Sequence, residues 1–274
     1  MNKIHDEVEA SKKYNLEYET FDGITLVKLT KDNVAKVESI IRTDSNYSSF
    51  KEANYDNKKY SPYWIREMGK HLRIIDGEAE EKDFKKIVAN VVKKIDKENG
   101  THLTADCKKD ENGRIKESAI DFMVTQIIDC YDKKTLLDYL KKPDFSCEKN
   151  LIDILSAPTG VKNEKGRRHL SFASKFCHYS CYHLFSGEEE QDNYSIYDRF
   201  VREALPFYLK KYKINNIKIT DKSTYKEYQQ AIDAILDKAD EKISRNGFDH
   251  LVWYYFKGNR IKNEKNNKKN KLKI

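Results

Sequence analysis

Proline is scarce in this chain, with four residues in 274. So few breakers leave room for uninterrupted helices, because proline removes a backbone donor and clashes inside one. Cysteine is also scarce. Its five residues, Cys107, Cys130, Cys147, Cys177 and Cys181, are odd in number and scattered. That excludes a paired disulfide framework and fits a reducing compartment. No apolar run approaches the ~18 residues a membrane helix needs. No signal peptide is evident, so the expectation is a cytoplasmic protein without a membrane partner. No internal repeat is visible either.

The body of the chain lacks net charge. The formal charge is +7, and residues 257–274 hold eight basic side chains against one acid, Glu264, which accounts for all of it. A basic tail is either a solvated terminus or a sequence-independent attractor of polyanions. Elsewhere 44 basic residues face 44 acidic ones, so a basic groove has to come from segregation. Hydrophobic residues make up 38% and charged residues 35%, but 12% are aromatic, including 18 tyrosines, enough to build a core.

Periodicity predicts a mainly α protein. Residues 1–18 read as a flexible amino terminus, and Gly23–Leu29 as a short β-branched strand. Asp32-Asn33 then caps a helix through Val34, Val37, Ile40 and Ile41. Residues 43–62 form a polar loop, followed by a short helix over Tyr63–Leu72. Phe84, Ile87, Val88, Val91, Val92 and Ile95 mark an amphipathic helix that Asn99-Gly100 ends. Further helices follow at Ile120–Ile128, Leu136–Leu140, Leu151–Leu155 and Tyr228–Ala239. Asn246-Gly247 breaks the last of these, and a buried final helix begins at Phe248. Residues 19–262 read as one helical domain and 263–274 as a basic disordered tail.

The chemistry concentrates between Ser156 and Leu209. In a helix over about Arg168–Leu184, the residues Leu170, Ala173, Cys177, Cys181 and Leu184 recur every three or four positions as one buried seam. Lys175 falls roughly opposite that seam, sharing its face with Ser171, His178, Tyr179 and Tyr182. It is either a solvated lysine or a group lining a cleft. Asp198 follows an extended Tyr194–Tyr197 segment and precedes Phe200, Val201, Ala204 and Leu205 at helical spacing. Its plain reading is an N-cap, and a capping carboxylate is also held rigid and charged, which leaves a catalytic role open. Upstream, Pro158-Thr159-Gly160-Val161 forms a turn whose backbone N–H groups suit phosphate, with Arg167 and Arg168 nearby. Read plainly, it is a loop with two exposed arginines. Cys177, Cys181, His178 and His183 lack a second ligand pair, so no metal is expected.

These pieces resemble the helix–hairpin–helix DNA glycosylase superfamily, most closely its 8-oxoguanine-glycosylase-like branch. The resemblance rests on Gly160-Val161, then Phe172-Ala173-Ser174-Lys175-Phe176, then Ile196-Tyr197-Asp198-Arg199-Phe200-Val201-Arg202. It extends through Phe248-Asp249-His250-Leu251-Val252-Trp253 and covers about residues 151–258. Lys175 precedes Asp198 by 23 positions, and Val201 stands at the family's offset from the aspartate. Two departures fall on the hairpin: Lys162 replaces its second glycine, and Asn163–Arg168 is inserted before the lysine helix.

The resemblance implies two helical subdomains flanking a cleft, and a glycosylase with lyase activity. It implies Lys175 as nucleophile and Asp198 as stabilising carboxylate, without a cofactor. It also implies DNA contacts at Gly160, Val161, Arg167, Arg168, Arg199 and Arg202, and a base pocket from Phe172, Tyr179, Tyr182 and Phe248. In the core those four aromatics have an ordinary packing role. The substrate would be duplex DNA carrying a modified base, bound by a monomer at the nucleoid in repair or anti-phage defence. The rival readings are a non-catalytic DNA- or RNA-binding module, and an interaction protein with a basic tail.

Overall fold

The computed structural model describes residues 15–43, 47–73, 81–103, 108–109, 111–112, 115–130, 133–146, 150–157 and 168–258. Among them the chain is mainly helical. The helices are α1 (Lys31–Thr43), α2 (Ser61–Arg73), α3 (Glu81–Asn99), α4 (Ala119–Cys130), α5 (Lys133–Lys141), α6 (Leu151–Ser156), α7 (Leu170–Leu184), α8 (Arg199–Lys211), α9 (Tyr225–Leu236) and α10 (Arg245–Gly258). The described strands form two antiparallel hairpins, β1 (Tyr18–Phe21) with β2 (Ile24–Val27), and β3 (Lys108–Lys109) with β4 (Ile115–Glu117). No described helix is long and apolar enough to cross a membrane.

The chain divides into two compact units. The first comprises residues 39–197 and 224–226; the second comprises 1–38, 198–223 and 227–274.

In the first unit α7 is the central helix. It packs against α6, α2, α3 and α5, while α2 also packs on α3, and α3 on α4. Four of the five residues of the predicted seam, Ala173, Cys177, Cys181 and Leu184, are buried, and Leu170 at the start of the helix is half-buried. The opposite face is buried too, so α7 is enclosed nearly all round from Phe172 to Tyr182. Ile65, Met68, Val88, Val92, Met123 and Ile127 complete this core. Each such side chain contributes roughly 1.5–3 kcal/mol on burial. Gly69 lets α2 approach α7, since a Cβ there would lie 2.2 Å from Leu184 Cδ2.

In the second unit α8 and α10 pack together, and α10 also meets β2. Tyr208 is fully buried and its hydroxyl donates to the Val27 carbonyl at 2.8 Å. Asn33 is buried as well. It accepts from Glu17 N–H at 2.9 Å and donates to the carbonyls of Glu17 and Lys28. It therefore does not cap α1. Thr30 does, accepting the Asn33 N–H on Oγ1 at 3.2 Å. The first hairpin strand begins at Tyr18, inside a region expected to fray.

Asn246-Gly247 is not a break between helices. Both residues lie in the first turn of α10, where Ser244 Oγ accepts the Gly247 N–H at 2.9 Å. Gly247 serves close packing, since a Cβ there would come within 2.9 Å of Val34 Cγ1.

Candidate active site

Lys175 projects from α7 into the first unit and is buried, 9% exposed. Its Nζ donates to the Asn99 carbonyl at 3.2 Å. Asn99 is the last residue of α3. Helix carbonyls at that end lack intrahelical donors and carry partial negative charge, so an ammonium is favoured there. The face opposite the seam therefore meets the end of α3 rather than bulk water.

Tyr179, one turn beyond Lys175, donates its hydroxyl to Asn99 Oδ1 at 2.8 Å. Asn99 Nδ2 donates to Ser49 Oγ at 3.1 Å and to the Ile95 carbonyl at 3.1 Å. Ser49 Oγ in turn donates to Glu98 Oε2 at 2.9 Å. Glu98 also receives the Ser61 N–H and hydroxyl at 2.9 and 2.7 Å, closing the start of α2. Burial raises the Glu98 carboxyl above its ordinary value, against these hydrogen bonds, which lower it.

His183 extends the same network. Its Nε2 lies 2.7 Å from the Ser49 carbonyl, and its Nδ1 3.1 Å from Tyr55 Oη. A carbonyl only accepts, so Nε2 carries the proton and Nδ1 accepts from Tyr55. Burial pushes the imidazole down to about 4, more than the Ser49 carbonyl lifts it.

The segment after α7 is held to the first unit at several points. His178 Nδ1 donates to the Tyr194 carbonyl at 2.8 Å, and the Tyr194 hydroxyl donates to the Tyr139 carbonyl at 2.7 Å. The Tyr225 hydroxyl donates to the Ser195 carbonyl at 2.8 Å. The Tyr197 N–H donates to Ser174 Oγ at 2.9 Å.

Asp198 follows directly in sequence and opens α8 of the second unit. Its backbone is extended (φ −105°, ψ 148°), and its carboxylate accepts the Phe200 N–H at 2.7 Å. The N-cap reading of Asp198 is thus correct, and the carboxylate is held beside the positive end of a helix.

The expected DNA contacts fare unequally. Gly160, Val161 and Arg167 lie outside the described residues, as does the tail 263–274. Arg168 pairs with Asp153 across 2.5 Å and donates Nε to Ser156 Oγ at 3.1 Å. Arg199 is exposed and pairs with Glu203 at 2.8 Å. Arg202 pairs with Asp221 at 3.0 Å.

The four pocket aromatics are core residues. Phe172 stacks on Phe176 with centroids 6.2 Å apart, and Tyr179 and Tyr182 each meet the Phe50 ring edge-on. Phe248 is fully buried against Tyr208 in the second unit. Phe172, Tyr179 and Tyr182 are all buried in the first unit's core.

Among the described residues no group of three or more His, Cys, Asp or Glu side chains is arranged to hold a metal. Cys177 and Cys181 are buried free thiols, and burial raises both well above the ordinary thiol range. Burial thus disfavours the thiolate, the form in which a cysteine acts as a nucleophile.

The sequence pattern does not single out Ser49, Glu98 or Tyr55, and it brings up His183 only as a metal ligand. Asn99 gives one signal, an amide side chain at a helix end, which by itself marks only a stop. Comparison of the chain with family models, with curated proteins and with solved structures finds no match.

Proposed function

We propose that this chain is a DNA glycosylase with lyase activity, Lys175 its nucleophile and Asp198 its stabilising carboxylate. One observation carries the reading. The residue before Asp198 is hydrogen-bonded to the residue before Lys175, through Tyr197 N–H and Ser174 Oγ. A lysine attacks only when neutral, so Lys175 has to give up the proton that its contact with the Asn99 carbonyl favours before it reacts.

The target base is flipped out of duplex DNA, since its sugar carbon is unreachable inside the stack. The Lys175 Nζ lone pair bonds to C1′ while the C1′–N bond breaks, and the base departs with the bonding pair and gains a proton. The sugar ring then opens to an imine, which permits elimination of the 3′ phosphate. Asp198 offsets the positive charge that develops on the sugar as that bond stretches. No cofactor enters. An oxidised or otherwise modified base is the substrate, in repair or in defence against phage. The place of action is the cytoplasm, at the nucleoid.

A second reading has one observation in its favour. Both charges have structural partners, Asp198 at the start of α8 and Lys175 at the end of α3. On that reading the chain is a helical nucleic-acid-binding module. Borohydride reduction on duplexes carrying oxidised guanine, other modified bases or an abasic site separates the two. A covalent adduct lost in Lys175→Gln supports the enzyme. Salt-sensitive binding without an adduct supports the module.

A further inference from the structure

We infer that Asn99 is the positioning residue for Lys175, and that Tyr179 and Ser49 hold it in place. The inference rests on the lysine chemistry proposed above and deepens it. The Asn99 backbone carbonyl accepts the Lys175 ammonium at 3.2 Å. A carbonyl at the end of a helix is only as well placed as the turn that carries it, and helix ends fray.

Here the turn is fixed by the Asn99 side chain. Its amide oxygen takes the Tyr179 hydroxyl, and its amide nitrogen reaches Ser49 Oγ and the Ile95 carbonyl. One side chain thus ties α3 to α7 and to the Ser48–Phe50 turn. Beyond it Gly100 takes a left-handed φ of +56°, which ends the helix there. Asp96 Oδ1 then accepts the Leu103 N–H at 2.8 Å and the Thr101 hydroxyl, closing the turn from the other side.

Tyr179 matters most, because it leaves the same helix as Lys175, four residues on. Its hydroxyl and the Lys175 ammonium grip two atoms of one residue, the side-chain oxygen and the backbone carbonyl. The register of α7 against α3 therefore sets where the lysine nitrogen rests. Serine, threonine or alanine at position 99 would not span to both Tyr179 and Ser49. A small displacement of a reacting group slows chemistry far more than it weakens binding.

The test uses full-length protein and a duplex with one abasic site, with borohydride trapping under single-turnover conditions. The variants are Tyr179→Phe, which removes only the hydroxyl, and Asn99→Ala. Tyr208→Phe, which removes a buried hydroxyl from the second unit, is the control. The expected result is a trapping rate lower by about tenfold or more in both variants. DNA affinity stays within about twofold, and Tyr208→Phe keeps the wild-type rate. Wild-type rates in folded Tyr179→Phe and Asn99→Ala overturn the inference and leave the lysine chemistry standing. An equal slowing in Tyr208→Phe also overturns it, because general loosening would then suffice. No adduct from the wild-type protein removes the parent reading, and this one with it. If Asn99→Ala fails to fold, Tyr179→Phe decides alone.

Discussion

The backbone N–H of Tyr197 donates to Ser174 Oγ at 2.9 Å, and both groups are buried. Ser174→Ala leaves that N–H without its acceptor, which costs about 1–3 kcal/mol. Thermal unfolding should show a lower Tm for Ser174→Ala. Ser174→Thr, which keeps the hydroxyl, should lie closer to wild type. Trapping on abasic DNA should fall in Ser174→Ala while the protein remains folded at assay temperature.

The capping role of Asp198 and the role proposed for its charge are separable by substitution. Asparagine caps a helix about as well as aspartate, whereas alanine costs about 1 kcal/mol. Asp198→Asn should therefore unfold at nearly the wild-type temperature, and Asp198→Ala measurably below it. Base release should nonetheless fall in Asp198→Asn by about a hundredfold or more, since the charge is lost with the geometry kept. Unchanged release in a stable Asp198→Asn protein reduces this residue to a cap.

His183 gives stability a pH dependence. Its imidazole stays neutral in the fold down to about 4, while in the unfolded chain it titrates near ~6.5. Between those values the unfolded state binds more protons, so stability falls as pH falls. The loss is complete below pH 4 and amounts to at most about 3 kcal/mol, less for the part of the residue that stays exposed. Urea titrations at pH 7, 5.5 and 4.5 measure it. His183→Gln, which can donate to Ser49 and accept from Tyr55, should flatten the curve over that window.

The contact at Gly69 is a test of the first unit's packing. Gly69→Ala sets a methyl group 2.2 Å from Leu184 Cδ2, and overpacking of that kind costs about 1–3 kcal/mol. Leu184→Ala removes the clash along with its own buried surface. The double variant should therefore be more stable than the two single losses sum to. Strict additivity in chemical denaturation would contradict the α2–α7 crossing described above.

Helices were legible in the sequence wherever apolar residues recurred at helical spacing, as over Phe84–Ile95 and along the seam of α7. Capping was less legible, because polar side chains near a helix start have competing partners. Asn33 looked like a cap, but its amide bonds backbone groups of Glu17 and Lys28, and Thr30 caps α1 instead. Asn246-Gly247 looked like a break, because the dipeptide is common in turns. In the fold the glycine serves close packing beside Val34. Lys175 and Tyr179 share a face of α7, as helical spacing requires, and both reach Asn99. What that face meets, the end of a helix 76 residues upstream, is a tertiary contact that no local pattern encodes. The same holds for Ser49 and Tyr55, which sit in a polar stretch without periodicity.

The central claim is that Lys175 Nζ forms a covalent bond to the sugar of DNA. Its most direct measurement is peptide mapping by mass spectrometry of the wild-type protein after borohydride reduction on an abasic duplex. The expected result is one modified peptide, within α7, with the added mass on Lys175. An adduct on a different lysine, or none while the protein binds the duplex, would contradict it.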